Sequence, residues 1–222
     1  MRDNITPIKA ADYDANICRV IPLYAEVHAQ IIGIAAETAS PAPRWLDVGC
    51  GTGNLAAKAM AAFPAAEFVL ADPSAAMLEQ ARQKLGDTRV SYLNAGSQEL
   101  ESEQEFDVVT ASLCHHYFDA DTRKTATERI YRALHQCGVY ITLENTQPED
   151  SAVLDLEMRR WAAYQRAHGR TEEEIAAHRA RWGTELRPIT AQAHLALLRN
   201  AGFRMVRQFW QNHLQAGFYA VK

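Results

Sequence analysis

Leu46-Asp47-Val48-Gly49-Cys50-Gly51-Thr52-Gly53 decides the fold. Arg44 to Val48 is a short apolar run of strand type, and a helical pattern opens at about Asn54. Between them three glycines stand at alternate positions. Without a Cβ, the backbone can pass close to a ligand there and turn its N–H groups toward it. The Lys-Ser/Thr pair of a triphosphate-binding loop is missing, which disfavours a nucleoside triphosphate. The next strand, Phe68 to Ala71, is closed by Asp72, 19 residues after Gly53. In doubly wound folds an acid near this distance accepts hydrogen bonds from the hydroxyls of a ribose. The competing role for Asp72 is a helix cap, because Asp72-Pro73 precedes a helix. A nicotinamide fingerprint would need Gly-x-Gly-x-x-Gly, and here the third glycine comes too early.

Outward from this loop, strand and helix alternate. The expected helices run from Pro22 to Thr38, Ala75 to Leu85 and Asp121 to His135, and the remaining strands from Arg89 to Leu93, Phe106 to Ala111 and Gly138 to Leu143. Such alternation predicts a Rossmann-like α/β domain, a mostly parallel sheet with helices on both faces. Residues 1–20 carry few periodic apolar positions and read as an irregular arm with one helical turn. Residues 148–185 read as one or two helices inserted after the fifth strand. A last helix from Thr190 to Asn200 precedes two β-like runs, Phe203 to Trp210 and Gly217 to Val221, giving seven strands. One domain, 1–222, is expected, with 1–38 as an N-terminal lid and 148–185 as a helical cover.

Bulk numbers agree with a globular chain. Of 222 residues, 48% are hydrophobic and 23% charged, enough for a sizeable core. A net charge of −4 advertises no basic face, so nucleic acid is not the expected partner. The four cysteines, Cys18, Cys50, Cys114 and Cys137, show no CxxC spacing, so neither a zinc site nor a disulfide framework is expected. The polar start Met1-Arg2-Asp3-Asn4 is no signal peptide, and no apolar run reaches the length of a membrane span. A reducing cytoplasm fits.

Asp47-Val48-Gly49-Cys50-Gly51-Thr52-Gly53, followed by Asp72-Pro73-Ser74 with Met77-Leu78, resembles the first two motifs of the class I S-adenosylmethionine (SAM)-dependent methyltransferases. Phe106 to Ser112 resembles the fourth motif, and Ile130 to Tyr140 the closing helix and strand. The resemblance implies SAM as cofactor and S-adenosylhomocysteine (SAH) as product. It implies that Gly49, Gly51 and Gly53, with Cys50 between them, pass under the methionine part, that Asp47 helps fix it, and that Asp72 holds the ribose. Pro73, Met77 and Ser112 join the cofactor-binding set. Where the family carries an acid for the adenine amino group this chain has Gly96, so the Gly96 backbone or the Ser97 hydroxyl takes its place. Ile21 to Tyr24, Arg166 to Glu172 and the tail from Ala201 are similar to the carboxy-SAM synthase branch, which implies that Tyr24 reaches over the cofactor. That branch holds its extra carboxylate with an arginine on the last helix. Here the position is Leu197, and Arg199 lies about 200° round the helix. Methyl transfer to a small molecule is therefore expected, with a tRNA-modification enzyme or a non-catalytic SAM binder as alternatives.

Ser112-Leu113-Cys114-His115-His116-Tyr117-Phe118 follows the fourth strand. A histidine titrates near neutral pH, so His115 or His116 is a candidate base for a hydroxyl or amine acceptor. The competing reading has one of them packing and the other capping a turn. No metal site is expected, for lack of a fourth ligand at a defined spacing. Glu144-Asn145 ends the fifth strand on the same side. Trp161, Tyr164, His178 and Trp182 are candidates for an aromatic pocket, a core stripe or a homodimer seam.

Overall fold

The computed structural model describes residues 3–222, so Met1 and Arg2 of the expected lid lie outside the described residues. Seven strands form one sheet: β1 (Arg44–Val48), β2 (Glu67–Ala71), β3 (Val90–Leu93), β4 (Phe106–Ser112), β5 (Leu134–Asn145), β6 (Met205–Asn212) and β7 (Gln215–Val221). Their order is β3-β2-β1-β4-β5-β7-β6. The first five run parallel, and β7 enters antiparallel between β5 and β6. Because β1 pairs with both β2 and β4, the strand order reverses there. That switch point opens a crevice at the carboxyl ends of β1 and β4.

Eight α-helices accompany the sheet among the described residues: α1 (Tyr13–Val20), α2 (Tyr24–Thr38), α3 (Asn54–Ala62), α4 (Ala75–Leu85), α5 (Ala120–Ala133), α6 (Ser151–Ala167), α7 (Glu172–Ala180) and α8 (Ala191–Asn200). Alternate residues of a strand face opposite sides, and β1 uses both. Trp45 packs with Val27, Ile31, Leu55 and Phe63 of the α2–α3 layer. Its neighbour Leu46 packs with Ile130, Ala133 and Leu198 of the α5–α8 layer. Both are fully buried. Helices on both faces are thus what the pattern predicts.

Two expectations need correction. Residues 10–20 hold more than the single expected turn: a short 3-10 turn leads into the eight-residue α1. The missed signal is Tyr13, Ile17 and Val20, which share a helical face. The fifth strand begins at Leu134 rather than Gly138, because Leu134 already pairs with Phe106, and a register shift follows before Val108 meets Val139. The inserted helices pack on the N-terminal helices. Met158 and Trp161 of α6 join Ile17, Val20, Ile21 and Leu214 in a third apolar cluster. The Trp161 indole N–H donates to the Val20 carbonyl at 2.6 Å, and Tyr164 donates to the Cys18 carbonyl at 2.7 Å. No single helix among the described residues is long and apolar enough to cross a membrane.

Candidate active site

The glycine loop is shaped by close approach. Gly49 has φ +62°, and a Cβ there would lie 2.5 Å from the Cys114 Cβ, so the loops after β1 and β4 touch. Gly51, at φ +55°, would place its Cβ in open space. Its N–H donates to Asp72 Oδ2 at 2.9 Å, while the Ser74 N–H donates to Oδ1 at 2.8 Å. Burial raises the Asp72 pKa, and these two N–H groups partly offset it. The cap of α4 is Ser74, whose hydroxyl accepts from the Met77 N–H at 3.2 Å. Asp72 is therefore left as a bridge between two loops on the wall of a cavity. A Cβ on Gly53, at φ +77°, would lie 2.9 Å from Leu85 Cδ1, so its bareness serves the packing of α3 against α4.

Three cavities meet over the carboxyl ends of the strands. The large one, 430 Å³, brings together Asp72, Pro73, Met77, Gly96, Ser97 and Ser112. Two buried polar atoms on its wall, Gln98 Oε1 and Ser112 Oγ, have no hydrogen-bond partner. The inner one, 30 Å³, holds Tyr24, Asp47, Cys50 and His28, and shares Gly49, Gly51 and Ser112 with the first. Asp47 is set by a relay: the Trp45 indole N–H donates to Thr110 Oγ1 (2.9 Å), whose O–H donates to Asp47 Oδ1 (2.7 Å). Burial pushes Asp47 up to about 7, against the Thr110 bond. The cap cavity, 50 Å³, lies under α1 and the inserted helices and contains His116. Tyr13 and Leu113 line all three. Leu113 holds φ +59°, a strained conformation for a branched side chain.

The two histidines are treated differently. His115 is fully buried and lines none of the three cavities. Its Nε2 is 2.8 Å from Ser97 Oγ and its Nδ1 3.3 Å from the Tyr140 hydroxyl. Burial holds it at about 4, so it is a neutral brace with both nitrogens in use. His116 lines the cap cavity and sets its Nδ1 2.9 Å from Glu144 Oε2. Glu144 also accepts the backbone N–H of His115 and His116 and the Thr142 hydroxyl. Burial alone would raise Glu144, but the His116 ring beside it holds it down at about 2. A carboxylate that fixes one nitrogen of an imidazole leaves the other for proton transfer.

Side chains from distant segments close the site. Asp14 on α1 accepts from Thr52, Asn54 and Lys84, tying α1 to the glycine loop and α4. Burial works against its ionisation, yet the Lys84, Thr52 and Asn54 bonds lower its pKa. Arg19 donates to the carbonyls of His168 and Gly169 between α6 and α7. Of the aromatic set, Trp161 is core and stacks edge-on with His178 and Trp182. Tyr13, Leu113, Tyr117 and Gln98 are site residues that sequence reasoning missed. Only Tyr13 carried a periodic signal. Leu197 and Arg199 line none of the three cavities.

Comparison with known proteins agrees with this geometry. Residues 46–138 match the family of the methyltransferase domain. Carboxy-S-adenosyl-L-methionine synthase of Trichlorobacter lovleyi is 30% identical over 216 residues, covering 93% of this chain and 87% of that protein. The N-methyltransferase NodS from Bradyrhizobium japonicum, solved with S-adenosyl-L-homocysteine, superposes with a TM-score of 0.64 at 15% identity, over 90% of this chain and 87% of that one. Human N-acetylserotonin methyltransferase, solved with SAM, gives 0.59 at 17% identity, over 96% and 58%. These two superpositions speak for the fold alone. With the glycine loop, the acid after β2 and the switch-point crevice in place, the chain belongs to the class I SAM-dependent methyltransferases.

Proposed function

We propose that the protein transfers the methyl group of SAM to a small-molecule acceptor held in the cap cavity, with His116 as the proton acceptor. The observation that carries this is the meeting of the three cavities at Tyr13 and Leu113, with His116 on the wall of the cap cavity. The residues fit SAM. Unpartnered Gln98 Oε1 and Ser112 Oγ await polar partners, and the open Gly51 position admits one close to the backbone. Asp72 would hold the ribose hydroxyls, Gly96, Ser97 and Gln98 the adenine, and Asp47 with Tyr24 the methionine end. Bound there, SAM supplies a sulfonium methyl for in-line displacement. The chain's own work is to orient the acceptor, exclude water under α1 and take up a proton at His116. Glu144 fixes the ring of His116, which makes it a positioning residue.

The name of the T. lovleyi relative supports a second reading, synthesis of carboxy-SAM. Leu197, where that branch uses arginine, speaks against it. Mass spectrometry of the spent cofactor separates the two: SAH supports methyl transfer, and a product heavier than SAM by carbon dioxide supports the other. Supplying cell metabolites and tRNA in parallel tests the acceptor class. SAH release with tRNA alone contradicts the small-molecule reading. A cytoplasmic, small-molecule role without nucleic acid or membrane belongs to the same proposal, and so does a homodimer, which light scattering tests.

A further inference from the structure

The cap cavity has a charge pattern that methyl transfer itself does not require. Its wall carries two arginines, Arg170 from the α6–α7 loop and Arg181 after α7, together with His116, His178 and Asn145. No acidic side chain lines it among the described residues. Both arginine side chains are nearly buried, at 12% and 9% exposure. Each is paired by a carboxylate that does not line the cavity: Arg170 Nε lies 3.7 Å from Glu174, and Arg181 Nε donates to Glu185 at 2.9 Å. Those two glutamates are 44% and 42% exposed, so the anions stand toward solvent while the cations bound the cavity. Arg181 also donates to the Ile5 carbonyl at 3.4 Å and lies beside the Tyr117 ring. Arg170 donates to Gln165 Oε1 at 2.9 Å. A guanidinium carries five N–H donors in a planar fork, which matches a carboxylate.

Charge is costly to bury without a purpose. Ile17, Val20, Ile21, Leu113 and Leu186 give the wall an apolar share, so the cavity combines an apolar body with cationic groups. At 50 Å³ it holds roughly three or four water-sized groups. We propose that this cavity is an anion-recognising acceptor subsite, in which Arg170 and Arg181 anchor the carboxylate of a small, otherwise apolar organic acid. This rests on the cap cavity being the acceptor site. It names the acceptor class that the preceding reading leaves open, and it places carboxylate recognition on residues away from the last helix.

The test is a thermal melt of the SAH complex with formate and acetate against formamide and acetamide, at ionic strength matched with chloride. Binding to the folded state raises Tm with concentration. The carboxylates are expected to raise it and to bind at least about tenfold more tightly than their amides. Arg170→Met and Arg181→Met should each flatten that response, and Arg181→Lys should keep part of it. Equal responses to acid and amide, no response to either, or unchanged responses in both Met variants would overturn the proposal. If a Met variant fails to fold, the acid–amide contrast in the parent protein decides alone. Calorimetry of SAH with the parent separates this from the underlying reading: failure to bind SAH refutes the methyltransferase site, and SAH binding without carboxylate preference refutes only the anion subsite.

Discussion

The floor of the active site and its cap are held together by different means. The floor, from β1 to Asp72, is made of neighbouring parallel strands and backbone N–H groups, and its side chains are aimed by short relays such as Trp45–Thr110–Asp47. The cap joins segments some 150 residues apart, through Arg19 to the Gly169 carbonyl and Trp161 to the Val20 carbonyl. Its polar ties to the floor centre on Asp14. Rigid preorganisation suits a cofactor whose shape is constant, whereas a cap of side-chain ties can open to admit an acceptor. The floor should therefore set cofactor affinity and the cap should set turnover.

The largest expected effect lies where the two meet. His116→Ala should lower turnover by about 100-fold or more while SAH affinity stays within roughly twofold, because general base catalysis acts on the transition state and not on cofactor binding. Glu144→Gln should cause a smaller fall and shift the pH–rate profile, the mark of a positioning residue. Stopped-time assays of SAH release check both. Equal loss of affinity and rate would break the division between floor and cap.

Next comes the floor itself. Asp72→Ala removes the acceptor for two backbone N–H groups and, on the proposed assignment, for the ribose. It should weaken SAM binding by about 1.5–3 kcal/mol, roughly 10- to 100-fold, in calorimetry. Asp47 sharpens the same claim through pH. Its pKa near 7 means that it is partly protonated at neutrality, and a cationic ammonium favours the ionised form. SAM affinity should therefore rise as pH climbs through 7 and lose that slope in Asp47→Asn. A flat profile in the parent protein would separate Asp47 from the cofactor.

Much of the floor was legible because local pattern dictates it. An apolar strand run, alternate glycines and an acid after the next strand are all written within 30 residues. Gly53, at φ +77° and against Leu85, shows that a glycine needed for helix packing and one needed for ligand approach look alike in sequence. His115 and His116 are adjacent, yet one is braced by Ser97 and Tyr140 and the other is aimed by Glu144. No spacing distinguishes them. Leu113 offers no glycine to announce its positive φ. Arg170, Arg181 and Tyr13 meet only because the insertion folds back over the first helix, a long-range outcome that periodicity does not encode.

The smallest effects come from a matched pair of tryptophans. Trp45→Phe and Trp161→Phe each delete one buried indole hydrogen bond, worth about 1 kcal/mol of stability. The consequences should differ. Trp45→Phe releases Thr110 and should weaken SAM binding a few-fold. Trp161→Phe should leave SAM affinity unchanged and speed proteolysis of the cap. The same response in both variants would erase the contrast.

The most direct measurement is a crystal structure with SAH bound. The account predicts the ribose on Asp72, the sulfur at the Tyr13–Leu113 junction, and the His116 ring facing the vacated methyl position across the cap cavity. A sulfur turned away from that junction, or a cap cavity walled off from it, would contradict the account.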